Sequence, residues 1–347
     1  MDADQTKIYQ MISGYARTAE IYTAVKLGIP DILSKEPKTL QEIADETNID
    51  TNVIIRFLRL LISREIICLK DGKYCLTNLG DLFRADHPNS LRNLIIYVGE
   101  VQYRVGQEMY SSVKTGKPAF DKIFGMSFFD YLSKNADMSS YFNEAMNHQA
   151  SIRTEGLINS YDFNHAKTVL DVGGGDATLI SSILKNYPEL KGVVFEVSTV
   201  VDETRRNLAK NNLKERGDVV CGDFFKDSIP SGSDITILSN ILHDWEDNEA
   251  IKILRNCNKS MNDKSKLLII EQLIPEIVTP GSSAVGSDMS MLLLTGGRER
   301  SLSEYEELLD ESGLTLSKVI PLALSNIPEG KKPDWVIMEC KQKEKNF

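Results

Sequence analysis

Three groups of residues have the types and spacing to do chemistry. The first is SNILHDWED, residues 239–247, which sets His243, one of four histidines, between an apolar run and a group of carboxylates. An imidazole titrating near 6.5 is a natural acceptor for a hydroxyl proton. The other readings of His243 are a metal ligand and a histidine that merely ends a strand. His87, His148 and His165 are distant in sequence and form no spaced cluster with it, so no metal is expected. The second group is LDVGGGDATLI, three consecutive glycines where a β-branched run gives way to a helical pattern; glycine lets the backbone approach a ligand closely. The dinucleotide fingerprint GxGxxG is met at Gly173 and Gly175 but broken at Thr178, and no GxxxxGK occurs, which disfavours a pyrophosphate ligand. The third group is two acidic strand ends. Glu196, in VVFEV about 25 residues beyond Asp171, suits a ribose diol, and Asp223, in CGDFF, suits an adenine amino group with Phe224 against the ring. Taken singly, each acid is as well explained as a cap for the following helix. Glycine turn and two carboxylates on three successive strand ends fit an adenosyl ligand without phosphate.

These positions demand a sheet. From residue 167 the runs KTVLDV, KGVVFEV, GDVVCGD, SDITILS, SKLLIIE, LTLSKVI and DWVIMEC alternate with helical stretches, which predicts an α/β fold with a mostly parallel sheet covered by helices on both faces. In such sheets the ligand crevice lies at the carboxyl ends of the strands, where the glycine turn, Glu196, Asp223 and His243 all fall. The chain divides into a front part, 1–100, a helical linker, 101–160, that contributes to a substrate pocket, and the cofactor-binding catalytic part, 161–347. In the front part TLQEIADETN has Thr39 as N-cap and Glu42 as its capping-box partner, TNVIIRFLRLLISREI is amphipathic, and ICLKDGKYCLT places Asp71-Gly72 between apolar runs as a hairpin. Helices followed by a hairpin make a winged helix. A DNA-binding regulator is one reading of it, with Arg56, Arg59 and Arg64 on phosphates, but the third helix is loaded with Ile, Leu and Phe. Burial of that apolar surplus against a second copy is the expected use.

Fifty acidic against forty basic residues, a net charge of -10, work against binding a polyanion, so nucleic acid is excluded as an expected partner. Five cysteines without CxxC spacing suggest neither a disulfide framework nor a zinc site and suit a reducing cytoplasm. The polar, acidic N-terminus and the lack of any apolar run approaching about 18 residues predict a soluble chain with no membrane span.

The winged-helix front, LDVGGGDATL, VVFEV, GDFF, ILHDWED, LLIIEQLIPE and DMSMLLLTGGRERS, in that order and over nearly the whole length, resemble the S-adenosylmethionine-dependent small-molecule O-methyltransferases of the plant caffeate and bacterial natural-product type. The resemblance implies a Rossmann-like class I methyltransferase sheet, its last strand antiparallel, behind an N-terminal helical winged-helix dimerisation domain. It implies S-adenosylmethionine as cofactor, S-adenosylhomocysteine as product, and no metal. Gly173 and Gly175 would line the methionine moiety, Glu196 the ribose, Asp223 and Phe224 the adenine, with Asp171, Ser239 and Asp244 also on the cofactor. His243 would be the general base, flanked by Glu271 and Glu299. Phe142, Met146 and Gln149 on one helix, and Met291 and Leu294 on another, would line a pocket for a flat, hydroxylated aromatic. This chain has Ala177 where the family usually has Gly, Glu196-Val197-Ser198 where Asp-Leu-Pro is frequent, and Ser239 where plant members have Lys. The expected activity is O-methylation of a phenolic hydroxyl by a cytoplasmic homodimer. N- or C-methylation, or a non-methyl reaction on the same scaffold, is the alternative.

Overall fold

In the computed structural model, residues 2–324 and 334–344 are described, apart from the side chains of 147–149. The chain forms two compact units, one holding the residues up to Glu108 together with Lys134–His148, the other Met109–Ser133 and the chain from Gln149 onward.

In the first unit the Thr39–Glu42 capping box forms as the sequence predicts and starts the helix Leu40–Thr47. The helix Thr51–Ser63 buries Ile54, Leu58 and Leu61, a stripe at helical spacing, and leaves Arg56 and Arg59 exposed. Arg64 is taken up by Glu20 through two hydrogen bonds of 2.7 and 3.1 Å, so it is not a free phosphate ligand. Strands β1 (Ile67–Lys70) and β2 (Lys73–Leu76) pair antiparallel across Asp71 and Gly72. Both turn residues have left-handed φ, 49° and 76°, the geometry that a two-residue hairpin with right-handed strand twist requires. The pairing sets Cys68 opposite Cys75, a juxtaposition that spacing alone does not show. The helix Ala3–Ile12 buries none of its residues.

The second unit is built on a seven-stranded sheet of β3 (Thr168–Val172), β4 (Lys191–Glu196), β5 (Gly217–Cys221), β6 (Ile235–Ser239), β7 (Lys266–Gln272), β8 (Leu314–Pro321) and β9 (Trp335–Gln342), in the order β5-β4-β3-β6-β7-β9-β8. The first five in that order are mutually parallel and β9 runs antiparallel to both its neighbours, as expected for this sheet. The central strands read as continuous apolar runs because both faces are covered. On β7, for example, Leu268 and Ile270 enter one core layer while Leu267 and Ile269 enter the other. The order reverses between β3 and β6, and that switch point opens the crevice in which ligands of open α/β sheets bind. It places the glycine turn after β3 directly beside the segment after β6. A Cβ added to Gly173 would meet the movable end of Ile241, Cδ1, at 2.6 Å, and the left-handed φ of 72° is what favours glycine there. Among the described residues, no helix is long and apolar enough to cross a membrane.

Candidate active site

Strand β6 ends at Ser239, and the chain turns through Asn240, with φ 56°, into a single 3₁₀ turn, Leu242–Asp244. Glu271, near the end of the neighbouring β7 and fully buried, orders this turn: its Oε1 accepts from the backbone N–H of Ile241 (3.1 Å) and of Leu242 (2.9 Å). Arg300, also fully buried, holds it from the other side. Its Nη1 donates to Leu242 O (2.9 Å), its Nη2 to Trp245 O (2.7 Å), and its Nε and Nη2 to Asp247 Oδ1 at 2.9 and 2.8 Å. Gly297 lies so close that a Cβ there would stand 2.1 Å from His243 O. Trp245 packs edge-on against Phe225 at 4.6 Å and precedes the helix Asp247–Ser260.

His243 is thereby fixed with its Nδ1 3.0 Å from Glu299 Oε1 and 3.6 Å from Glu271 Oε2. The same Glu299 oxygen accepts from Ser287 Oγ at 2.7 Å, and Asp288 Oδ1 accepts from the Glu299 backbone N–H at 3.0 Å. Two carboxylates at Nδ1 assign the proton to that nitrogen, by inference from its partners. The nearest carboxylate to Nε2 is Asp244, at 4.0 Å. Burial works against the charged imidazole, but the charges of Glu271, Asp244 and Glu299 and the bond to Glu299 outweigh it and push the His243 pKa up to about 10. Burial raises Glu271 to about 7, His243 opposing it, and Asp244 to about 6. Ligand atoms of His243, Glu271 and Glu299 lie within 4.8 Å of one another, a spacing that a metal ion would also accept.

On the other side of the switch point, Gly173 N–H donates to Phe195 O, and Gly175, with φ 56°, donates its N–H to Glu196 Oε2 at 3.0 Å. Asp171 is buried with neither carboxylate oxygen hydrogen-bonded, and burial, reinforced by Glu196 and Asp176, lifts its pKa to about 7. Burial also raises Glu196, against the N–H groups of Val197 and Gly175. Asp223 follows β5. Its Oδ1 accepts from Phe225 N–H (2.8 Å) and its Oδ2 from Lys226 Nζ (2.7 Å), which holds a turn; no helix follows β5 for Asp223 to cap. Phe224 stands edge-on to Phe225 and Trp245. Ala177, which caps the helix Thr178–Asn186, carries a left-handed φ of 68°, the conformation that favours glycine.

Of the expected pocket residues, Phe142 and Met146 are partly buried in the first unit, Phe142 edge-on to Tyr97 at 5.3 Å. The side chain of Gln149 lies outside the described residues. In the second unit Met291 is partly exposed and Leu294 is buried, both on the helix Ser283–Leu294. Sequence reading missed Ser287, Asp288, Asn240 and Arg300. Only Arg300 carried a signal, as a charge inside GGRERS next to Glu299, and a lone arginine ordinarily reads as surface.

The O-methyltransferase domain family matches residues 107–315, and the O-methyltransferase dimerisation domain matches residues 9–86. The phenazine O-methyltransferase PhzM of Lysobacter antibioticus is 38% identical over 317 residues, 91% of this chain and 92% of that protein. The crystal structure of LaPhzM superposes with a TM-score of 0.89 at 36% identity, covering 98% of this chain and 100% of that one. An O-methyltransferase from neocarzinostatin biosynthesis, solved with S-adenosylmethionine and 2-hydroxy-5-methyl naphthoic acid, superposes with a TM-score of 0.81 at 29% identity, covering 94% and 96%. The chain belongs to this family and is an S-adenosylmethionine-dependent O-methyltransferase with an N-terminal dimerisation domain.

Proposed function

We propose that His243 Nε2 takes the proton from a phenolic hydroxyl of a small aromatic natural product as that oxygen is methylated. The observation that carries this reading is the convergence of Glu271 and Glu299 on Nδ1, which leaves Nε2 the nitrogen without a hydrogen-bond partner among the described residues. The cofactor, when bound, supplies a methyl group already activated on a sulfonium. The residues that would hold it are Gly173 and Gly175 at the turn, Asp171 and Glu196 through their carboxylates, Asp223 and Phe224, and Ser239 and Asp244. The two orphaned oxygens of buried Asp171 and the close approach allowed by Gly173 suit a ligand rich in hydrogen-bond donors.

What remains for the protein is alignment and proton removal. A phenol titrates near 10, as tyrosine does, and His243 is pushed to about the same value. Transfer between matched groups costs little. The energetic burden falls on freeing the imidazole of its own proton at neutral pH, so turnover should rise with pH. Glu299 and Glu271 stabilise the imidazolium once formed, and the turn held by Arg300 keeps Nε2 in place.

The exposed apolar residues Ile8, Tyr9, Met11, Ile12 and Tyr15 support assembly as a homodimer through the matched dimerisation domain.

The test is a panel of hydroxylated aromatics with labelled S-adenosylmethionine. His243→Ala should cut kcat by about 10² to 10⁴, the usual worth of a general base, with cofactor affinity nearly unchanged by calorimetry. Retained turnover in that variant sinks His243 as base, and loss of activity on chelation would make the His243 cluster a metal site instead.

A further inference from the structure

Arg153 lies on the helix Ala136–Ser160, in the part that belongs to the second unit. Its guanidinium stacks on the Trp335 ring, with Cζ 4.8 Å from the centroid. Its Nε is closed off from solvent and has no hydrogen-bond partner. Trp335 opens β9 opposite Gln272. The Gln272 amide donates to Ser283 Oγ (2.8 Å), which donates to Asp334 Oδ2 (2.7 Å), so the strand end that carries the ring is tied down one residue beyond Glu271. Gln272 follows Glu271 on β7, so the Arg153–Trp335 pair lies at the strand end next to Glu271, and Glu271 and Glu299 both act electrostatically on the guanidinium. Burial draws the Arg153 pKa down to about 10 while those two carboxylates hold it up, and the group stays cationic at neutral pH.

The cation is nevertheless not paired with those acids. Glu271 Oε2 and Glu299 Oε2 are each buried without a hydrogen bond, and Arg153 Nε is too. A counter-charge placed to neutralise the glutamates would be expected to close those bonds, because an enclosed, unsatisfied donor is costly, the more so when charged. A guanidinium over an indole with an unpartnered Nε donor suits a planar two-oxygen anion, which arginine grips with two parallel N–H···O bonds.

We propose that Arg153 anchors a carboxylate on the methyl acceptor, so that the substrate is a hydroxylated aromatic acid whose phenolic oxygen is thereby presented to His243. This rests on the reading of the site as a phenol O-methyltransferase centre. Arg153 acts in selecting and orienting the acceptor and takes no part in moving the proton.

The experiment compares 1,4-dihydroxy-2-naphthoic acid and 4-hydroxybenzoic acid with their methyl esters as acceptors, in the full-length wild type, Arg153→Met and Arg153→Lys, with melting curves to confirm folding. The wild type should prefer acid to ester by tenfold or more in kcat/KM. Arg153→Met should lose about 10- to 100-fold on the acid, mainly in KM, as expected for a charged hydrogen-bonded pair, and stay within about threefold on the ester. Arg153→Lys should recover part of the loss, since it keeps the charge without the fork. Equal losses on acid and ester, with a shifted kcat–pH profile, would make Arg153 a counter-charge of the His243 cluster and overturn the proposal while leaving the phenol reading intact. A wild type that methylates the esters as well as the acids overturns it in the same way. If S-adenosylmethionine binds but neither the acids nor the esters are methylated, the phenol reading falls and this inference with it.

Discussion

Replacing Glu271 by Gln removes one charge from His243 while keeping an oxygen for the two backbone N–H groups. Glu271 Oε2 stands 3.6 Å from His243 Nδ1. At the effective dielectric of about 20 that suits such pairs, one charge at that distance is worth about 5 kcal/mol, or about 3 pH units of the imidazole pKa. His243 should therefore fall from about 10 to the neighbourhood of its ordinary value, because burial, which opposes the charge, is left with only Glu299 and Asp244 against it. The chain has four histidines, few enough to follow each ring by NMR with labelled histidine, His243→Ala identifying the signal. In kinetics, kcat/KM of the wild type should climb with unit slope to above pH 9, whereas Glu271→Gln should level off near pH 7 to 8 at a lower plateau, its base now mismatched to a phenol by about 3 units. The sign for stability follows from the raised pKa. The extra stabilisation by the imidazolium is complete below its unfolded value of about 6.5 and is lost as pH rises toward 10. Glu271, raised to about 7, instead costs stability increasingly from its unfolded value of about 4.5 up through 7, a cost that Gln abolishes. A wild-type His243 titrating near 6.5, and unmoved by Glu271→Gln, would refute the reasoning.

Arg300→Met should destabilise by about 1–3 kcal/mol for each of the Leu242 and Trp245 carbonyls left without a donor, the half-exposed Asp247 being left to water. Denaturant unfolding measures it, and kcat should fall further than the folded fraction does because Nε2 loses its position. Ile8→Glu combined with Ile12→Glu should leave monomer stability nearly unchanged, since the helix Ala3–Ile12 buries nothing within its own chain, yet shift the mass seen by light scattering from dimer toward monomer.

Much of the fold was legible because it depends on short-range pattern. The continuous apolar runs that became β3, β4, β6 and β7, the Thr39–Glu42 box and the Asp71-Gly72 hairpin each follow from residues within a few positions of one another. The placement of the candidate site residues was legible to the same depth: a histidine just beyond a strand, a glycine turn just beyond another, and acids at strand ends. Asp223 shows where such reading stops: the helix it could have capped does not form, and the turn it holds through Phe225 N–H and Lys226 Nζ is seen only in the structure.

By itself, the amino-acid sequence determined the order and kind of elements, the strand ends that carry the candidate site residues, and the family to which these motifs point. The tertiary structure alone decided that both glutamates gather at one nitrogen of His243, that Glu271 also ties down the turn that carries it, and that Arg300 is buried beneath the turn. It alone set Arg153 on Trp335 with an unused donor. The physical reason is separation along the chain. Residues 28 to 182 positions apart meet only when the strand order reverses at β3 and β6 and β9 returns beside β7, and charges at those meeting points take their pKa from neighbours that no local window contains.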